Sequence, residues 1–85
     1  MKKYLAVFRS RTDVLSFIDD MRDNHVYANS VVTPKELKLG CGISAEFPSH
    51  FLTVAKKLIG KGRYPSFYAL VTVEKRNGRT VSVKI

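Results

Sequence analysis

One cysteine, Cys41, lies between Gly40 and Gly42 in a chain of 85 residues. The thiolate is the nucleophilic form of that side chain, and its ordinary pKa near 8.5 falls when cations or a helix N-terminus stand close by. Flanking glycines tolerate positive φ, so the backbone there can approach a ligand closely, and successive N–H groups can form an anion-binding nest. A lone small thiol at a strand start is also commonly an inert buried cysteine. The choice between these readings rests on what the rest of the chain brings to Cys41.

Other chemistries lack their parts. His25 and His50 are far apart and have no clustered partners, so no metal site is expected. No Ser/His/Asp set or carboxylate pair is visible, and neither histidine belongs near Cys41, which disfavours a Cys-His hydrolase. Conventional catalysis therefore lacks its parts, the chain reads more as a non-enzyme than as an enzyme, and no cofactor is implied. A single cysteine cannot form an internal disulfide, which makes a reducing cytoplasm the default compartment. Met1 to Phe8 superficially resembles a signal peptide, but arginines and Asp13 follow before any long apolar region, so it reads as a first strand. No apolar run approaches the roughly 20 residues of a membrane span.

With 45% hydrophobic and 26% charged residues the composition is that of a globular chain, not a disordered one, and the length suits a single α+β domain over residues 1–85. Fifteen lysines and arginines against seven acids give a formal charge of +8, which favours an anionic partner or simply keeps the surface soluble.

The elements that must position the thiol follow from spacing. Lys3 to Phe8 is apolar on both alternating faces, as in a central strand. Thr12 and Asp13 suit a helix start, and Val14, Phe17, Ile18 and Met21 fall at the spacing of a core-facing helix ending near Asn24-His25. Val26 to Thr33 is β-rich and ends at Pro34, which predicts an edge strand. Thr33-Pro34-Lys35-Glu36 has the capping-box pattern of a helical turn through about Lys38. Ile43 to Phe47 alternates as a third strand. Ser49 caps a second helix with Phe51, Leu52, Ala55, Leu58 and Ile59 buried, ended by Gly60-Lys61-Gly62. Phe67 to Glu74 alternates, with Phe67, Ala69, Val71 and Val73 on one face, and Asn77-Gly78 turns into a last strand.

This order predicts an α+β, ferredoxin-like βαββαβ antiparallel sheet with two helices on one face and an extra C-terminal hairpin strand. In that topology the end of the first strand lies beside the start of the third, so Cys41 is expected next to Ser10. The same edge receives the start of the first helix, the turn at Thr33, and the end of the second helix. Six cations are expected at this rim: Arg9, Arg11, Lys35, Lys38, Lys61 and Arg63. They and a helix N-terminus would lower the thiol pKa, with Ser10, Thr33, Gly40 and Gly42 completing a binding edge around Cys41.

Phe8-Arg9-Ser10, then Thr33-Pro34-Lys35-Glu36-Leu37, then Cys41-Gly42 resemble the small bacterial selenium/sulfur carrier-like family, over roughly residues 4 to 60. Its pattern has an aromatic-x-Ser after the first strand and a Thr-Pro-Arg-Glu stretch running into Ser-x-x-Cys-Gly. Three positions depart from it: Lys35 stands for arginine, Lys38 for serine, and His25 for the glycine that often ends the first helix. A lysine attracts an anion but lacks arginine's planar fork. The resemblance implies that Cys41 accepts sulfur or selenium as a persulfide or selenosulfide and passes it on by thiol-exchange-like attack.

A sulfur-donor protein such as a cysteine desulfurase is then the implied partner. The competing reading is a basic nucleic-acid-binding or protein-interaction module without chemistry, in which the open sheet face presents Tyr4 and Phe8 for base stacking. A homodimer through that face or through the edge strand is the third reading.

Overall fold

The computed structural model describes residues 3–33, 42–76 and 79–84, with side chains as far as residue 72. Strand β1 (Lys3–Phe8) is followed by helix α1 (Arg11–Asp23), strands β2 (Asn29–Val32) and β3 (Ile43–Pro48), a 3-10 turn (Ser49–Phe51), helix α2 (Leu52–Gly60), and strands β4 (Phe67–Arg76) and β5 (Arg79–Lys84). The sheet order is β2-β3-β1-β4-β5, antiparallel at every pairing. This is the ferredoxin-like arrangement with one added strand. β1 is central, and its neighbours are β3 and β4. Arg76 pairs with Arg79, so β4 and β5 form a hairpin across a two-residue connection.

β1 is apolar on both faces because both faces are covered. On the helix-bearing side Ala6 and Phe8 join Phe17, Phe47, Tyr64 and Leu70 in the main core, and on the other side Leu5 and Val7 pack with Ala69 and Val71. Along α1 the buried positions are Val14, Phe17, Ile18 and Met21, as the spacing predicts. Full burial of each such side chain contributes about 1.5–3 kcal/mol over leaving it in water.

The end of α1 is a Schellman motif. Asn24 is the C-cap, the His25 N–H donates to the Arg22 carbonyl at 2.9 Å, and the Val26 N–H donates to the Met21 carbonyl at 3.0 Å. His25 occupies the left-handed position with φ 62°, the conformation glycine enters at least cost. Val26 then turns into the core beside Met21. That turn is why β2 begins at Asn29 and not at Val26: the intervening residues close the helix first.

Three local expectations are corrected. The N-cap of α1 is Ser10, in extended conformation, and Thr12 lies within the first turn. The second helix starts with the 3-10 turn, whose N-cap is Pro48, so Ser49 is its first residue and not its cap. β4 carries a bulge against β1: Val7 pairs with Ala69 but Phe8 pairs with Phe67, leaving Tyr68 as the extra residue. Phe67 therefore joins Phe8 on the helix-bearing side, while Ala69 and Val71 face the other way.

Candidate functional site

The end of β1, the start of α1, the end of β2, the start of β3, the end of α2 and the start of β4 all meet at one edge of the sheet, as their pairing directions require. Lys35, Lys38, Gly40 and Cys41 lie outside the described residues, as does the turn predicted through Lys38. What is described is the frame on either side of them.

That frame has a pinned neck. The Thr33 N–H donates to the Gly42 carbonyl at 2.9 Å, and the hydroxyls of Thr33 and Ser44 are 2.6 Å apart. Thr33 and Ser44 are both buried, so each hydroxyl satisfies the other where water is absent. Ser44 sits in register with Val31 on one side and Val7 on the other. Gly42 has φ 91°, and a Cβ built there would meet no atom within 4 Å. Glycine is needed at this position for its backbone angle, not for space.

Across the edge, the β1–α1 turn is held from a distance of 53 residues or more in sequence. The Arg9 N–H donates to the Ser66 carbonyl at 2.9 Å, and the Ser10 N–H donates to Ser66 Oγ at 3.0 Å. Ser66 in turn donates its N–H to Asp13 Oδ2 at 2.9 Å and its hydroxyl to the same oxygen. Asp13, read from the sequence as suiting a helix start, is thus also an anchor for the segment before β4. No local sequence signal announces Ser66; only the fold brings it to Ser10.

The described cations divide. Arg9 is exposed and its guanidinium stands 5.4 Å from the centroid of the Tyr68 ring, over its face. Arg11 is exposed at the first position of α1, where a positive charge works against the helix dipole, so helix stability gives no account of it. Lys61 is exposed just past α2. Arg63 is turned along α1, 3.9 Å from Asp20. Tyr64 donates its hydroxyl to that same Asp20 carboxylate. Burial first, and then this hydrogen bond, hold the Tyr64 phenol well above its ordinary pKa. Arg9, Arg11 and Ser10 therefore gather at the end of β1, while Arg63 belongs to a separate cluster with Asp20 and Tyr64.

Among the described residues no group of three or more His, Cys, Asp or Glu side chains is placed to hold a metal ion. None of the described helices is long and apolar enough to cross a membrane. Tyr4, Phe8 and Phe47, the aromatics of the two central strands, all belong to the helix-bearing side: Phe8 and Phe47 are buried, and Tyr4 stacks on Phe47 at 5.9 Å.

Compared with known protein families, residues 3–66 match the family described as "Putative Se/S carrier protein-like". The chain belongs to this family. Neither the curated proteins nor the solved structures gave a match. The carrier-like match ends at Ser66, the residue that ties Ser10 to Asp13, so the β4–β5 hairpin lies beyond it.

Proposed function

We propose that this chain carries sulfur or selenium on Cys41. The observation that carries the reading is the pinned neck: Thr33 and Gly42 hold the two ends of segment 34–41 together at the edge that holds Arg9, Ser10, Arg11 and the N-terminus of α1. Cys41 is peptide-bonded to Gly42, so the sequence tethers it one residue from that edge. Cations and a helix N-terminus favour the thiolate. Membership of a carrier-like family supports the same reading.

In the transfer step the Cys41 thiolate attacks the terminal sulfur of a persulfide on a donor protein, such as a cysteine desulfurase. A new sulfur–sulfur bond forms on Cys41 as the donor's sulfur–sulfur bond breaks, and the donor leaves as its thiolate. No oxidant is consumed, because the sulfane sulfur moves without change of oxidation state. Passing the sulfur on repeats the step: an acceptor thiolate attacks the outer sulfur of the Cys41 persulfide, and Cys41 leaves as its thiolate. The protein is a co-substrate in both directions and needs no acid–base pair.

Incubation with a cysteine desulfurase and cysteine tests this by intact-protein mass. A gain of one sulfur atom is expected in the native chain and none in Cys41→Ser. Alkylation rates against pH should give a thiol pKa below the ordinary 8.5. A value at or above it, with no mass gain, would defeat the reading.

A further inference from the structure

Two helices cover the ferredoxin-like four strands, and this sheet has a fifth. Beside α2, where it faces the first half of β4, an apolar cleft of about 400 Å³ opens, lined by Ile59, Phe67, Ala69 and Leu70 with Lys56 and Gly60 on the helix side. It is at the small end of ligand pockets, which run roughly 300–1,000 Å³. It suits one or two bulky side chains.

Its surroundings are positive. Lys56 is exposed on the cleft wall, Lys61 follows Gly60, and Arg9 packs over Tyr68 on the opposite wall. No acid is among the lining residues. The carbonyls at the C-terminus of α2 carry only a fraction of a negative charge, which these cations outweigh. Four of the seven acids, Asp13, Asp19, Asp20 and Asp23, are instead on α1. With Arg11 and Arg22 they leave α1 at −2, and the rest of the chain therefore at +10.

A second copy is a poor occupant. Its α1 offers aspartates around Leu15, which is 50% exposed, but that contact would be head-to-tail and not the two-fold pairing by which most homodimers form. It would also join two chains of +8 each. The complementary occupant is an acidic segment of another protein that presents a bulky apolar side chain.

The cleft opens at the same sheet edge as Gly42. β3, β1 and β4 are successive strands, so the starts of β3 and β4 are two strand spacings apart, roughly 10 Å. A partner anchored in the cleft spans that distance with a single surface loop. We propose that the α2–β4 cleft docks the acidic, apolar-tipped segment of the protein that exchanges sulfur with this chain. What the docked partner then does rests on the carrier reading; the docking itself does not need the thiol.

The test uses the full chain carrying Cys41→Ser, labelled with nitrogen-15, so that no transfer chemistry can occur. The probe is a blocked hexapeptide, Glu-Glu-Leu-Phe-Glu-Glu, with Glu-Glu-Ser-Ser-Glu-Glu and Lys-Lys-Leu-Phe-Lys-Lys as controls. Saturable amide shifts are expected at Ile59, Phe67 and Leu70, with both controls at least about tenfold weaker. Lys56→Glu should weaken binding about fivefold, and Ile59→Ser should weaken it by a similar factor, both with the far-ultraviolet spectrum unchanged. Equal binding of the serine peptide would overturn the proposal, as would shifts confined to Arg9 and Arg11. So would the same amides moving with protein concentration alone, or on adding a single-stranded RNA hexamer in place of peptide. If the peptide binds as expected but native protein gains no sulfur, the carrier reading fails and the docking surface stands.

Discussion

On the helix-bearing side of the sheet Phe8 meets Phe17, Tyr64 and Phe67 at centroid distances of 5.3, 5.6 and 5.6 Å, two of them edge-to-face. On the opposite side Leu5 and Val7 meet Ala69 and Val71, with Val31 alongside. Both sets are dry, yet they do different work. Aromatic rings have preferred mutual geometries and a large buried area, so the first side fixes where α1 and the loop before β4 must sit. Small aliphatic side chains have no such preference. The second side seals the sheet without directing any element to a place. The candidate edge takes its precision from the first: Ser66 reaches Ser10 because Phe67 and Tyr64 are anchored on Phe8 to either side of it.

The largest effect that would sharpen this contrast is from Phe17→Ala, which opens a cavity among Phe8, Phe47 and Tyr64. It should cost about 3–5 kcal/mol by urea unfolding. Val7→Ala on the other side should cost about 2 kcal/mol, from the lost methyl burial and a smaller cavity. If the two variants lose equal stability, the division of labour between the faces is wrong.

Tyr64 gives a pH-dependent test of the aromatic side. Its folded pKa is raised by burial and by Asp20, so below the ordinary value near 10 both folded and unfolded chains keep the proton. Above that value the unfolded chain releases it while the folded chain holds it, and stability falls as pH rises. Relative to Tyr64→Phe, the native protein should lose about 1.4 kcal/mol between pH 9 and 11. Parallel curves for the two proteins would mean that the phenol is not held in this way. The smallest expected effect is a gain: His25→Gly should stabilise by about 1 kcal/mol, because the left-handed angle at that position strains a side chain. Any loss of stability there would show that the imidazole contributes more than its backbone costs.

The element order, the central place of β1, the edge place of β2 and the buried stripe of α1 were legible because apolar period and Gly/Pro punctuation are local signals. Of the stripe expected on α2 only Ala55 and Leu58 are buried, with Phe51, Leu52 and Ile59 partly so. His25 was legible too, through the glycine that often stands at its position in the family. The bulge at Tyr68 was not, since Phe67 to Glu74 alternates in sequence and only the aromatic packing of Phe67 on Phe8 shifts the register. Nor was the Asp13–Ser66–Ser10 chain, whose partners are separated by more than fifty residues. Of the six cations expected at the rim, the frame accounts for Arg9, Arg11 and Lys61. It sends Arg63 to Asp20, because the Tyr64 hydroxyl draws that loop along α1, while Lys35 and Lys38 lie outside the described residues.

The Thr33–Gly42 hydrogen bond has a consequence in chain statistics. Between those residues lie eight positions, 34–41, whose two flanks the hydrogen bond brings together when the sheet forms. The entropy of bringing those flanks together is lost once, at folding, and not again at each transfer. On the reading proposed above, the effective concentration of the Cys41 thiol at the sheet edge is set by its one-residue tether to Gly42 and not by the length of the segment. Doubling the segment by an insertion on the Thr33 side would cost only about 0.6 kcal/mol of stability, and because Cys41 would still be one peptide bond from Gly42, such an insertion should spare both folding and delivery.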